Sequence, residues 1–341
     1  MRQRVKTRLV GRTCMIFGQL GKSLIALVLL GGLTLSARAD DPNPLYEELT
    51  SKGVEVGAAK PAVLAKPQMA DGLDASAQRA ALEAIPGRTP VQSIPRMLQK
   101  SLEAPLVLTM KTRGETADAR IQQVDLYFIV YGDIDEISDQ DFLKEQAEEE
   151  RQERAAERRQ RGEQAPQEEK EAKTLTAEQL AAREIKLLSG DAEREGYSHG
   201  SAEIFDRVLS TGTSHSLRTR TAEGVIVAST LDPRFAEDPE FPNFWQSMEN
   251  DELGRVKYGK KQPYFGSGTF TKATALKEPK EAVFIEIHTV FREPNGWFNK
   301  SNLLSSKLPI AAKDNVRKFR RKLEDAKRKK TPGAAAQPAA S

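Results

Sequence analysis

Cysteine is almost missing from this 341-residue chain: Cys14 is the single one. It lies in the leader-like stretch described below, so the chain that follows has no thiol at all. That excludes disulfides, a thiol nucleophile and cysteine-ligated zinc or iron–sulfur clusters there. It also leaves no cysteine to carry a lipid at the expected cleavage point. Stability must come from a hydrophobic core, for which more than about 200 residues are ample. Histidine is scarce as well, with only His199, His215 and His288. Among motifs, the G-x-S-x-G elbow, H-E-x-x-H, the Walker loop and the dinucleotide fingerprint are all missing. Gly266-Ser267-Gly268 is a glycine pair at the entrance of a strand, and it points to a bulge or close packing rather than a phosphate cradle. No apolar run reaches the about 20 residues of a membrane span.

The longest such run, residues 23–35, has signal-peptide length instead. It follows Arg2, Arg4, Lys6, Arg8, Arg12 and Lys22 and precedes Ala37-Arg38-Ala39, whose small residues suit cleavage before Asp40. Residues 1–39 are therefore expected to be a signal peptide, with translation starting at Met1 or Met15, and the product is expected to be exported, periplasmic or secreted. The alternative is an uncleaved anchor. The net charge of +3 changes sign with the leader: residues 1–39 hold seven basic and no acidic residues, leaving 45 basic against 49 acidic. Nucleic acid is not the expected partner of such a chain.

What is present is a sheet pattern. Residues 124–131 read as a central strand, with Val124, Leu126, Phe128 and Val130 on an apolar face and Asp125, Tyr127, Ile129 and Tyr131 on a mixed one. Its expected partner, Ala282 to Phe291, repeats that division. Glu286 and His288 lie on the mixed face, against Val283, Ile285 and Ile287 on the other. Further strands are expected over 106–111, 217–221, 225–228 and 269–276, while 202–209 suits strand or helix. Asp74 and Ser93 are expected to cap short helices, and Thr176 with Gln179 makes a capping box. The expected fold is α+β: an antiparallel sheet of five to seven strands, packed by short N-terminal helices and a long C-terminal helix.

The expected organisation is an extended Pro/Ala-rich arm over 40–73 and a single domain over 74–310. A charged helical or disordered insertion at 144–173 interrupts that domain, a basic helix covers 311–330, and a disordered tail covers 331–341. In the insertion 18 of 30 residues are charged and the apolar ones are alanines, a solvated helix that heptad scoring could take for a coiled coil. Residues 232–263 form a long aromatic segment, expected as a packed surface layer or a lid. The run Asp133, Asp135, Asp139, Asp141 departs from a calcium loop, because Ile137, Ser138 and Lys144 stand where ligands or glycine are needed. No metal or cofactor is expected.

Two groups stand out as candidate sites. Asp125, Tyr127, Tyr131, Glu286 and His288 would meet on the mixed face if the two strong strands pair, and a carboxylate beside an imidazole is a usable acid–base pair. Arg317, Lys318, Arg320, Arg321, Lys322, Lys327 and Arg328 flank an apolar stripe on the terminal helix and could meet an anionic surface or envelope component. His199 and His215 lie in Ser- and Gly-rich stretches expected to be solvated connections. Three readings follow. The first is a non-enzymatic exported envelope protein acting through its charged helices. The second is a binding module for an apolar small molecule or lipid between the sheet and residues 232–263. The third is a hydrolase using Glu286 and His288.

Overall fold

The computed structural model describes residues 42–57, 60–137, 172–191, 194–252, 255–298 and 301–330, with 142, 148, 149, 152, 153, 155, 156, 159 and 160. The stretches on which export and the tail rest, 1–39 and 331–341, lie outside these, as do Ser138, Asp139 and Asp141. Among the described residues no helix is long and apolar enough to cross a membrane.

The fold is α+β and antiparallel, but its sheet has 11 strands rather than five to seven. β1 (Val107–Glu115) and β2 (Ala119–Tyr131) form one hairpin. After a short helix, α4 (Ile134–Ile137), come β3 (Lys173–Thr174), β4 (Glu195–Ile204), β5 (Val208–Arg220) and β6 (Gly224–Leu231). Three short strands follow, β7 (Phe244–Asn250), β8 (Val256–Tyr258) and β9 (Gln262–Pro263), and then β10 (Ser267–Ala275) and β11 (Ala282–Pro294). The main path runs β1-β2-β11-β10-β6-β5-β4-β3, with β7 pairing β5 at its N-terminal end. β2 and β11 pair along all 13 residues of each, placing Asp125 opposite His288 and Tyr127 opposite Glu286.

The additional strands come from residues that carry no hydrophobic alternation. β4 and β5 contain Ser198, Gly200, Ser201, Ser210, Gly212, Ser214 and Ser216, and it is the ladder between them that makes them strands. The stretch 202–209 is mostly strand, the end of β4 and the start of β5, joined by a turn at 205–207 with Phe205 and Asp206 at φ +54° and +52°. Asp tolerates that left-handed conformation, and burial of Phe205 against Phe298 holds the turn in place. The aromatic segment 232–263 is a continuation of the sheet, since β7, β8 and β9 all fall wholly or nearly so within it.

One face of the sheet carries α6 (Leu303–Lys330), which begins earlier than the expected 311 because Leu304 and Leu308 also pack on the sheet. Further along, Val316, Phe319 and Leu323 cover Leu126, Phe128 and Ile285. The opposite face is covered by the N-terminal region. Residues 40–73, expected as an arm, supply core: α1 (Pro44–Ser51) buries Leu45 and Leu49, and Val54, Val56, Leu64 and Met69 are buried in turn. Asn43 starts α1 by accepting from the Tyr46 amide at 2.9 Å, and it donates to the Leu217 carbonyl at 3.1 Å, fastening the helix to β5. Gly266 and Gly268 permit this close approach, because a side chain at either would strike Glu55 or Val54. α2 (Ala75–Glu83), capped by Asp74, and α3 (Ile94–Met97) complete this layer. α5 (Ala177–Ala181), started by the Thr176–Gln179 capping box, shares a separate cluster with Tyr197, Phe235 and Phe241.

Candidate functional sites

The mixed face of β2 and β11 is where the polar residues converge, and it is buried. His288 Nδ1 lies 2.8 Å from Asp125, and Nε2 lies 3.2 Å from Glu286. The imidazole stacks on Phe270 at 4.6 Å and meets the Tyr127 ring edge-on at 5.5 Å. Asp125 also accepts from Gln123 and Thr109. Glu286 accepts from the backbone amides of Gln68 at 2.6 Å and Met69 at 3.2 Å. Directly opposite Glu286 on β10, Lys272 donates to the Met69 carbonyl at 2.8 Å and pairs with Asp71 at 3.0 Å. Four of the five expected cluster residues thus come together. Tyr131 does not, because at the strand end its hydroxyl donates to the Leu98 carbonyl.

What this group does is hold residues 68–71 across the sheet. His288 is 1% exposed and Glu286 0%, so a substrate reaches the imidazole only if residues 64–71 lift away. The mixed face is an interior polar ladder, satisfied in part by the backbone that covers it. Lys272 and the backbone of 68–69 were missed from sequence, because neither bears a periodic signal.

A second buried histidine stands where a solvated one was expected. His215 is in β5, 4% exposed, with Nε2 2.6 Å from Glu195 and its ring stacked on Tyr197 at 4.4 Å. Glu195 also accepts from the amides of Leu188 and Ser189, at 2.7 and 2.6 Å. His199, in β4, bonds Thr213 at 3.0 Å through Nδ1.

These clusters set opposite pH limits. Burial disfavours the charged form of Glu195, but His215, Ser189 and the two amides outweigh it and hold the carboxyl at about 2. Its stabilisation is present above the unfolded value of about 4.3 and lost as pH falls through the folded one, a loss of about 2–3 kcal/mol. Burial disfavours protonated His288 too, yet Asp125 and Glu286 hold it above its ordinary value. Its contribution is full below about 6.5 and is lost as pH rises through the raised folded value. Urea unfolding from pH 2 to 9 should therefore show stability falling at both ends. Glu195→Gln should flatten the acid limb, and an unchanged limb would refute the assignment.

The basic residues of α6 mostly face chain carboxylates. Arg317 pairs with Glu103, Lys318 with Glu153, Lys322 with Glu149, Lys327 with Glu281 and Arg328 with Asp325, at 2.7 to 3.0 Å. The described residues between 148 and 160 are helical, whereas Lys173, at the end of the expected insertion, opens β3; Glu149 and Glu153 bring the helical part beside α6. Exposed pairs of this kind contribute about 0–1 kcal/mol each. Arg321 is exposed. Arg320 is 6% exposed and bonds the carbonyls of Ile129, Leu102 and Ala104, so it does not belong to a surface patch.

A cavity of about 110 Å3 opens on the α6 face, at the end of the sheet formed by β4 and β5. Its sheet wall is made of small residues, among them Gly200, Ala202, Ser210, Gly212, Ser214 and Ser229. Facing them are Phe205, Tyr264, Phe291, Trp297, Leu304 and Leu308. The expected position, between the sheet and residues 232–263, is not where it lies. Phe235 and Phe241 of that segment pack with Tyr197 on the other face, and the cavity is closed by the start of α6 and the Trp297 turn.

No protein-family model matches this chain, and no curated protein matches it. Among solved structures, the human StarD13 (DLC2) lipid transfer and protein localization domain aligns with 8% identity and a TM-score of 0.31, over 63% of this chain and 89% of that one. A putative uncharacterized protein from Rhizobium leguminosarum aligns with 9% identity and a TM-score of 0.27, over 64% of this chain and 99% of that one. Likeness at that level carries no argument about what this chain does.

Proposed function

We propose that this chain is an exported binding module that holds a small apolar molecule between the sheet and the start of α6. The observation that carries the reading is the run of small residues at neighbouring inward positions on β4, β5 and β6. Protein interiors pack to crystal density, and filling such positions with aliphatic side chains is the ordinary outcome of folding. Here glycine, alanine and serine keep a recess open opposite a wall of aromatic and leucine side chains. That combination of an apolar recess with few polar groups is how small-molecule sites are built. A cavity of this size, 110 Å3, takes a compact ring or short chain, and anything longer extends to the open mouth.

The polar ladder at His288 fits this reading as the element that keeps the far face of the sheet rigid. Saturation-transfer NMR with methylcyclohexane provides the test. The full chain should give a signal that Ala202→Leu and Ser214→Leu each abolish, both being partly exposed positions where a larger side chain is tolerated. Undiminished transfer in folded Leu variants would remove the cleft as the site.

A further inference from the structure

Granting the reading above, the sheet wall of the cleft is hydroxylic as well as small. On β5, Ser210 and Ser214 alternate with Thr211 and Thr213, and Thr213 donates to the Phe241 carbonyl on the other face. On β10, Ser267 lies opposite Phe291, which packs with Leu304 and Leu308 of α6. All three serines line the cleft and are partly exposed. Their hydroxyls bond nothing among the described residues, and each keeps accessible surface of its own.

Open hydroxyls are not the general habit of this face. One same-face step from Ser214 and Ser267 the hydroxyls are already paired, Ser216 donating to Ser229 at 2.9 Å and Thr269 bonding Thr289 at 2.9 Å. Two steps further, Val225, Ala273 and Ile285 stand side by side across β6, β10 and β11, and Ala273 and Ile285 pack with α6. No charge joins the serines. Among the described residues no lysine, arginine or histidine lines the cleft, and Glu203 carries its side chain on the opposite face of β4 from Ala202 and Ile204. Unpaired neutral hydroxyls facing leucine and phenylalanine side chains match a ligand that is polar at one point and hydrocarbon elsewhere. A serine hydroxyl both donates and accepts, and an alcohol answers both roles where a ketone answers one.

We propose that the cleft takes a neutral alcohol, with its hydroxyl on Ser214 or Ser267 and its hydrocarbon against Leu304, Leu308 and Phe291. Leu231 on β6 pairs with Ser214, and its neighbour Thr230 pairs with Gly268, so the two serines flank Leu231. Ser214 and Ser267 are the specificity-determining residues, and the apolar wall supplies affinity whatever the polar group.

Cyclohexanol, methylcyclohexane and cyclohexanecarboxylate, titrated into the full chain at neutral pH, provide the test, with Ser214→Ala and Ser267→Ala made singly and together. Neither hydroxyl bonds another described residue, so alanine removes no internal hydrogen bond and the variants should fold as the native chain does. The double variant should bind cyclohexanol about three- to tenfold more weakly, the increment of one hydrogen bond, and methylcyclohexane within about twofold of the native chain. The single variants show which serine holds the hydroxyl. The carboxylate should bind about tenfold or more weakly than the alcohol, since it would shed its water and meet no cation. An unchanged affinity for cyclohexanol in the double variant, or an equal loss for alcohol and hydrocarbon, would overturn this inference and leave the cleft reading standing. So would carboxylate binding as tight as alcohol binding. Binding of cyclohexanol and methylcyclohexane that survives Ser214→Leu, or no binding of either, would overturn the cleft reading and this inference with it.

Discussion

Replacing Glu286 by alanine should lower stability by about 3–5 kcal/mol, a large part of the ~5–15 kcal/mol that holds an ordinary domain together. Three groups depend on that carboxylate: the amides of Gln68 and Met69, and the imidazole of His288. Glu286 and Met69 are 0% and His288 1% exposed, so water cannot replace the acceptor lost to the Met69 amide and the imidazole, and Gln68 is half-buried. Leaving a buried donor unpaired costs more than a hydrogen bond nominally contributes. His288 would also keep only Asp125 as its acidic partner, and its protonated form would be less favoured. Glu286→Gln should lose roughly half as much, since one amide oxygen still accepts from one N–H. Urea unfolding at pH 6 measures both, and hydrogen exchange at Gln68 and Met69 should speed up in the alanine variant ahead of β2 and β11. A loss below about 1 kcal/mol would mean that residues 64–71 are held by apolar packing alone.

Arg320→Met should cost about 3–5 kcal/mol for a related reason. β1 begins opposite Tyr127, so the last residues of β2 have no β1 partner on that side. Arg320 reaches into the notch. Its Nε and Nη2 donate to the Ile129 carbonyl at 3.0 and 2.8 Å, and Nη1 donates to Leu102 and Ala104 at 3.2 and 2.6 Å. One guanidinium thus completes the sheet edge and the segment entering β1, a task suited to its planar fork of donors. Burial pulls its pKa down to about 10, with Glu103 opposing that shift, so it is charged at neutral pH. Methionine keeps much of the bulk and abandons all three carbonyls. Lysine should be intermediate, because a single ammonium cannot reach all of them. Thermal and urea unfolding should rank the variants Arg, Lys, Met. A methionine variant as stable as the native chain would show that water or backbone movement satisfies these carbonyls.

Much of the centre of this fold was legible from sequence. The alternation in 124–131 and 282–291 assigned each residue its face, and pairing of these strands brings Asp125, Tyr127, Glu286 and His288 together. Strand alternation is local, so it survives whatever packs above it. Tyr131 shares that parity, but at the strand end it met Leu98 instead. The basic stripe of α6 was legible as charge, while Arg320 looked like its neighbours. Its distinct role depends on where β1 stops, which no residue near 320 records.

The cleft was not legible at all. Its wall is drawn from β4, β5 and β6, and the Gly, Ser and Ala residues that hollow it lack any hydrophobic period. His215 was hidden by the same composition, since a Ser- and Gly-rich stretch reads as a connection until a neighbouring strand pairs with it.

Sequence alone therefore determined which residues share a face, that the strands are antiparallel and α+β in setting, and which chemistries the missing thiols and motifs exclude. Tertiary structure decided what covers each face, and so turned the mixed one into a sealed ladder and left a recess under α6. The reason is distance along the chain. Asp125 and His288 are 163 residues apart, and Glu286 and Gln68 are 218 apart. The periodicity of a strand says which way a side chain points, and only the packed chain decides what it meets.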